Sequence, residues 1–199
     1  QIPVKNIHAW TAESPTLYRC IVELGDDTFV TNFGFRTIRF DQNNLYINDQ
    51  KVFLRGLNRH QCYPYIGYAA VDSLQEDDAR ILKEELHVNA VRTSHYPQSQ
   101  SFIDACDRYG LYVFTEIPGW QHIGDETWKQ QAIQNTKDMV LQYRNHPSII
   151  LWGVRINESL DDDELYSKTN EVARNLDPTR PTAGVRYLTK SHLLEDIYT

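Results

Sequence analysis

The sequence predicts an α/β fold: part of a β/α barrel, about five strand–helix units, entered from the last strands of a β-sandwich. Three observations predict it. Residues 1–40 hold short β-type runs broken by turn residues. From Val52 onward, apolar strand-like runs alternate with amphipathic helical segments, the pattern of a parallel sheet. Those strand runs are apolar throughout, as expected when helices and a core cover both faces.

The leading segment contains Leu17–Leu24 and Phe33–Phe40, separated by the turn signal Gly25-Asp26-Asp27. Two or three strands cannot close a core alone, so this is expected to be the end of a sandwich, domain one being residues 1–40. Leu45-Tyr46-Ile47, the turn-forming Asn48-Asp49 and Lys51–Leu54 suggest a hairpin opening the second domain, 41–199. Barrel strands are predicted at Val52–Leu57, Val88–Arg92, Leu111–Glu116, Ile149–Val154 and Pro181–Arg186. The first helix starts at the capping box Ser73-Leu74-Gln75-Glu76 and aligns Leu74, Ile81, Leu82 and Leu86. The second buries Phe102, Ile103, Cys106 and Tyr109 and stops at Gly110. A third aligns Trp128, Ala132, Met139, Val140 and Tyr143 before His146-Pro147. The fourth aligns Leu165, Thr169, Val172, Ala173 and Leu176 and ends at Pro178. A doubly wound dinucleotide fold would carry a G-x-G-x-x-G turn, and none occurs. An arc of about five strands cannot close at the geometry of eight, so the remainder of the barrel is expected outside this chain.

Composition narrows the function classes. A net charge of −7 and pI near 5.5 argue against a nucleic-acid partner. No apolar run approaches the ~20 residues of a membrane span. Gln1 opens directly into strand-like sequence without a leader-like run, as if in mid-protein. Cys20, Cys62 and Cys106 form no C-x-x-C pair, so free thiols are expected; His60-x-Cys62 is a weak metal alternative. The 12 Tyr, 7 Phe and 4 Trp suit stacking on sugars and suit an aromatic core equally.

Asn157-Glu158 closes the apolar run Ser148–Val154. A carboxylate at the C-terminal end of a barrel strand sits where reacting groups collect, and an amide beside it suits a glycosidase acid/base. Alternatively, Glu158 begins the next helix, where an acidic side chain meets the positive end of the dipole.

Val52–His60 with Asn89–Pro97, then Cys106–Val113 and Arg144–Ser148, resemble glycoside hydrolase family 2, in the family's order and at compatible spacing over residues 33–186. The family includes β-galactosidases, β-glucuronidases and β-mannosidases. The resemblance implies a (β/α)8 TIM barrel preceded by an immunoglobulin-like β-sandwich, an acid/base Glu ending strand four and a nucleophilic Glu ending strand seven. Counting strands by periodicity puts Glu158 after the fourth. Glu158 is then the proton donor and later the base that activates water, and burial or a negative neighbour should raise its pKa. Asn157 would bond the sugar 2-hydroxyl. Arg92 matches the motif arginine that orients carboxylates, or forms a structural ion pair. His95 would donate to sugar hydroxyls, or caps its loop. His60 lines the pocket or supports it from behind, and Trp120 would be a stacking platform. Trp152 belongs in the core, and Asp161–Glu164 should cap a helix rather than hold calcium.

Three departures bear on that assignment. Gly153-Val154-Arg155-Ile156 places four residues between Trp152 and Asn157 where the family usually has three; a β-bulge would absorb the extra one, and the charge of Arg155 has no role in the pattern. Thr115-Glu116-Ile117-Pro118-Gly119-Trp120-Gln121-His122 stands where magnesium-dependent β-galactosidases carry Glu-x-His and is closer to the metal-independent, glucuronidase-like pattern, so neither a metal nor another cofactor is expected. The chain stops at Thr199, ahead of any strand seven and its nucleophile. The expected function is therefore the acid/base portion of a retaining, β-galactosidase-like exo-glycosidase acting on carbohydrate, inactive in isolation. A noncatalytic carbohydrate-binding or scaffold fragment is the alternative from another class, and a β-glucuronidase or β-mannosidase the alternative within the family.

Overall fold

The computed structural model describes residues 3–41 and 43–198. The strand-like opening at Gln1 and the chain end at Thr199 lie outside the described residues. Strands β1 (Tyr18–Leu24) and β2 (Asp27–Phe33) form an antiparallel hairpin registered from Tyr18↔Phe33 to Leu24↔Asp27. The second strand thus precedes the expected Phe33–Phe40 run. Arg36 breaks that run by turning away to donate to the carbonyls of Pro147 at 2.8 Å and Ile149 at 2.6 Å. Strands β3 (Ile38–Asp41), β4 (Asn44–Ile47) and β5 (Gln50–Val52) make a three-stranded antiparallel sheet. Asn48 and Asp49 turn β4 into β5 with φ of 49° and 62°, as a tight hairpin requires.

Six parallel strands follow: β6 (Gly56–Arg59), β7 (Ala90–Thr93), β8 (Tyr112–Glu116), β9 (Ile149–Gly153), β10 (Thr182–Gly184) and β11 (Ile197–Tyr198). They lie side by side in sequence order, an open arc of a β/α barrel. The strand expected at Val52–Leu57 divides: Val52 closes β5, Phe53 and Leu54 are exposed, and Gly56 starts β6. Strand β11 was not expected, because two residues carry no periodicity.

Helices α1 (Asp72–Arg80, continued by a π-helical turn to Glu85), α2 (Gln100–Tyr109), α3 (Glu126–Tyr143) and α4 (Asp163–Leu176) cover the outer face. Ser73 lies inside α1, not at its cap; Val71 holds that position without a side-chain bond. The π turn rotates the helix face, leaving Leu86 53% exposed while Gln75 and Ala79 are buried. Gly110 ends α2 at φ 77°, and a Cβ there would stand 2.3 Å from the Ala12 carbonyl oxygen. Asp125 and Asp162 cap α3 and α4, accepting from the N–H of Trp128 and Leu165 at 3.0 Å each, about 1 kcal/mol apiece.

Two cores result. Val91, Phe102, Ile103, Leu111, Val113, Met139 and Trp152 fill the sheet–helix layer. Beneath the strand N-termini, Leu45 and Ile47 of the three-stranded sheet and Trp10 of the leading segment meet Tyr112, Phe114 and Ile150. Trp10 is fully buried, packs edge-on to Tyr112 and donates to the Asp107 carbonyl at 2.8 Å. The base of the arc is therefore plugged, which leaves the strand C-termini as its open mouth.

Candidate active site

Alternation along a strand decides which side chains reach that mouth. On β8, Val113 joins the helix-side core while Tyr112 and Phe114 face the interior, so Glu116 also points inward, one layer higher. On β7, Ala90 shares the interior with Tyr112 and Phe114, and Arg92 follows it, with its guanidinium 5.8 Å from the Phe114 ring centroid. Gly153 makes room for the acid: a Cβ there would lie 2.4 Å from Glu116 Cβ.

Four polar side chains converge. Arg92 donates through Nε and Nη2 to Glu116 Oε2 at 3.3 and 2.9 Å. The same Nη2 donates to Asn157 Oδ1 at 2.5 Å and lies 3.2 Å from His95 Nδ1. His95 Nδ1 is 3.3 Å from Glu116 Oε1. The Glu116 side chain is 1% exposed, that of Arg92 15%. Burial pushes the Glu116 carboxyl up to about 7, opposed by the Arg92 charge. Burial, Arg92 and His60 together hold His95 below its ordinary value against the pull of Glu158, which favours the neutral ring.

Glu158 stands beside this group, half-buried, in the left-handed region at φ 51°. Its N–H donates to the Val185 carbonyl at 3.0 Å, tying it to the segment after β10. Trp120 Nε1 and Gln121 Nε2 donate to its Oε2 at 3.1 and 3.2 Å. These two donors lower its pKa, which corrects the expectation of a raised one: the side chain is neither deeply buried nor bonded to another acid among the described residues. Trp120, 61% exposed, stacks on His95 with centroids 6.4 Å apart and planes 10° apart. His60, exposed, meets His95 edge-on at 5.1 Å and lies 3.4 Å by Nδ1 from Tyr96 Oη. All six residues singled out in the sequence (Glu158, Asn157, Arg92, His95, His60 and Trp120) thus gather at one mouth.

Glu116, Gln121 and Tyr96 complete the group and were not singled out. An acid closing the otherwise apolar run Tyr112-Val113-Phe114 was the available signal for Glu116; nothing in the sequence marks Gln121.

The residue surplus before Asn157 is not absorbed by a bulge at that point. The β8–β9 register shifts lower down, where Val113↔Ile149 is followed by Phe114↔Leu151. Beyond Gly153 the chain leaves the strand. Val154 and Ile156 enter the outer core, and Arg155 between them is bound to acids of other loops. Fully buried, Arg155 pairs with Glu195 at 3.0 Å and Asp161 at 2.8 Å, with its guanidinium 4.4 Å from the Tyr166 ring centroid. Its charge locks the post-β9 loop to the segment before β11.

Trp152 is core, donating to Asp177 at 3.0 Å. Cys20, Cys62 and Cys106 are free thiols. Among the described residues, potential metal ligands converge at Asp104, Asp107 and His146. There His146 Nδ1 already bonds Asp107 at 2.6 Å and Nε2 faces Gln100 at 2.6 Å, on helix α2 and away from the mouth.

The fold and mouth define a β/α-barrel protein with a polar site at its strand C-termini. The chain belongs to glycosyl hydrolases family 2: residues 38–198 match the TIM barrel domain of that family and residues 1–36 match a second domain of it. A β-galactosidase of Thermoanaerobacterium thermosulfurigenes is 54% identical over 98% of this chain and 28% of its own length. One of Rhizobium meliloti is 39% identical over 98% and 27%. A β-galacturonidase of Eisenbergiella tayi, solved with galacturonate, superposes with TM-score 0.90 at 30% identity, over 99% of this chain and 37% of that one. The β-glucuronidase of Parabacteroides merdae gives 0.86 at 31%, over 98% and 27%. The chain spans little more than a quarter of the length of the curated relatives it matches.

Proposed function

We propose that this chain supplies the acid/base side of a retaining β-glycosidase site, β-galactosidase-like in substrate. The observation that carries the proposal is Glu158 at the mouth, held by Trp120 and Gln121 beside the Arg92–Asn157–Glu116–His95 cluster. Retention requires a second carboxyl ~5–5.5 Å away to attack the anomeric carbon. That negative neighbour would also raise the Glu158 pKa against the pull of its two donors, priming it to protonate the glycosidic oxygen. Once the glycosyl-enzyme forms, the same carboxylate takes a proton from water. Arg92, His95 and His60 are proposed to line the sugar subsite, with Trp120 offering a ring face to the pyranose. A galactoside is favoured over a uronide because β-galactosidases are the relatives at 54% identity, whereas the superposed uronidases stand near 30%. The division into residues 1–40 and 41–199 belongs to the same proposal and is supported by family matches over 1–36 and 38–198.

The test is Glu158→Gln in the full-length protein carrying this chain. Turnover of aryl β-galactosides with poor leaving groups should fall by about 100-fold or more, and that of activated aryl groups far less, since only the former need a proton. Equal turnover of poor leaving groups by variant and wild type would remove Glu158 from the role.

A further inference from the structure

The mouth contains a buried acid that the proposed reaction does not use. We propose that Glu116 is a positioning residue which, through Arg92, aims the amide of Asn157 at the bound sugar. This inference rests on the glycosidase reading above and adds a residue to it.

An asparagine amide has two faces of opposite character, and which one meets a ligand depends on what holds the other. Here Asn157 Oδ1 is taken by Arg92 Nη2 at 2.5 Å. Its NH2 bonds no other group among the described residues and, in a residue only 2% exposed, remains as a donor for a sugar hydroxyl. Arg92 in turn is not free to swing. Glu116 engages both its Nε and its Nη2, a two-point contact that fixes the guanidinium plane as well as its position. Glu116 itself is anchored by strand β8, its stem packed against the bare backbone of Gly153. The acid is 1% exposed, and its two oxygens are already engaged by Arg92 and His95, so it acts through Arg92 and not on substrate. A contact to the sugar 2-hydroxyl strengthens as charge develops at the anomeric centre, and misplacing such a donor by about 1 Å costs on the order of 100-fold. Glu116 should therefore govern kcat more than KM.

The experiment is a double-mutant cycle in the full-length protein. Glu116→Gln, Asn157→Ala and the double variant are assayed with an aryl β-galactoside and its 2-deoxy analogue. Glu116→Gln should lower kcat about 100-fold on the parent substrate, but only a few-fold on the deoxy analogue, which lacks the group being aimed at. Added to Asn157→Ala, it should cost almost nothing more. Equal losses on both substrates, or losses that multiply in the double variant, would overturn the proposal and leave Glu116 a structural residue. Should Glu116→Gln fail to fold by its thermal melt, Glu116→Asp is cycled with Asn157→Ala instead; it keeps the charge, shortens the reach to Arg92, and its outcomes read the same way. Glu158→Gln in the same assays separates the two levels. Unchanged turnover of poor leaving groups in that variant refutes the acid/base reading of Glu158 on which the proposal rests. A normal Glu158 loss with multiplicative Glu116 and Asn157 losses refutes only the positioning role.

Discussion

Arg92 Nη2 and Asn157 Oδ1 meet at 2.5 Å across 65 residues of sequence, joining the second strand of the arc to the loop beyond the fourth. Strands β7 and β9 are not neighbours; β8 lies between them. The bond therefore spans the arc over the top of β8, where Glu116 supports it from below. A change in any of these strands is felt at the same point.

Gly153→Ala tests that geometry from the packing side. The added methyl would stand 2.4 Å from Glu116 Cβ and 2.8 Å from its Cα, so backbone must shift. A loss of about 1–3 kcal/mol is expected, read as a lower urea midpoint, with activity falling further than stability accounts for.

The acid itself should report on pH. Its pKa is raised from 4.5 to about 7, so between these values the folded chain holds a proton that the unfolded chain has released. Stability from this group is complete below about 4.5 and is lost as pH rises through about 7. Unfolding of Glu116→Gln, followed by tryptophan fluorescence at a series of pH values, should lack this part of the slope. An unchanged slope would mean that Glu116 is ionised throughout.

Much of the frame was legible in the sequence. Gly110 ends α2 because only a residue without Cβ tolerates its backbone and the Ala12 carbonyl together. Asp162, within the acidic run Asp161–Glu164 expected to cap a helix, caps α4. The gathering of Arg92, His95, Asn157 and Glu158 at one mouth was expected from strand ends and motif order. What escaped depended on contacts remote in sequence. Arg155 looked out of place because its partners Glu195 and Asp161 arrive from other loops. The capping box at Ser73 failed because the chain enters α1 at Val71 instead. Full burial of Glu116 and only partial burial of Glu158 follow from how neighbouring loops pack, which local pattern does not encode. Their pKa shifts consequently ran opposite to a simple reading, the unassigned acid up and the proposed acid/base down.

Trp120→Phe should change the pH profile in a defined direction. Its indole N–H is the largest influence lowering the Glu158 pKa, and phenylalanine keeps a ring beside His95 without that donor. The basic limb of kcat against pH, set by loss of the general acid's proton, should move to higher pH. An unmoved limb would show that another group sets it.

The leading segment should matter to stability and not to chemistry. Trp10 is fully buried against Tyr112 at the base of the arc. Trp10→Ala is expected to cost about 3–5 kcal/mol, with the residual folded fraction retaining its KM. A large rise in KM would mean that the base plug reaches the mouth.

The most direct measurement is azide rescue of Glu158→Ala in the full-length protein, using an activated aryl β-galactoside. With the general base gone, the glycosyl-enzyme should wait for a nucleophile that needs no deprotonation, and azide should accelerate turnover and yield the β-configured glycosyl azide. Wild-type-like turnover, or no acceleration and no glycosyl azide, would contradict the assignment of Glu158 as acid/base.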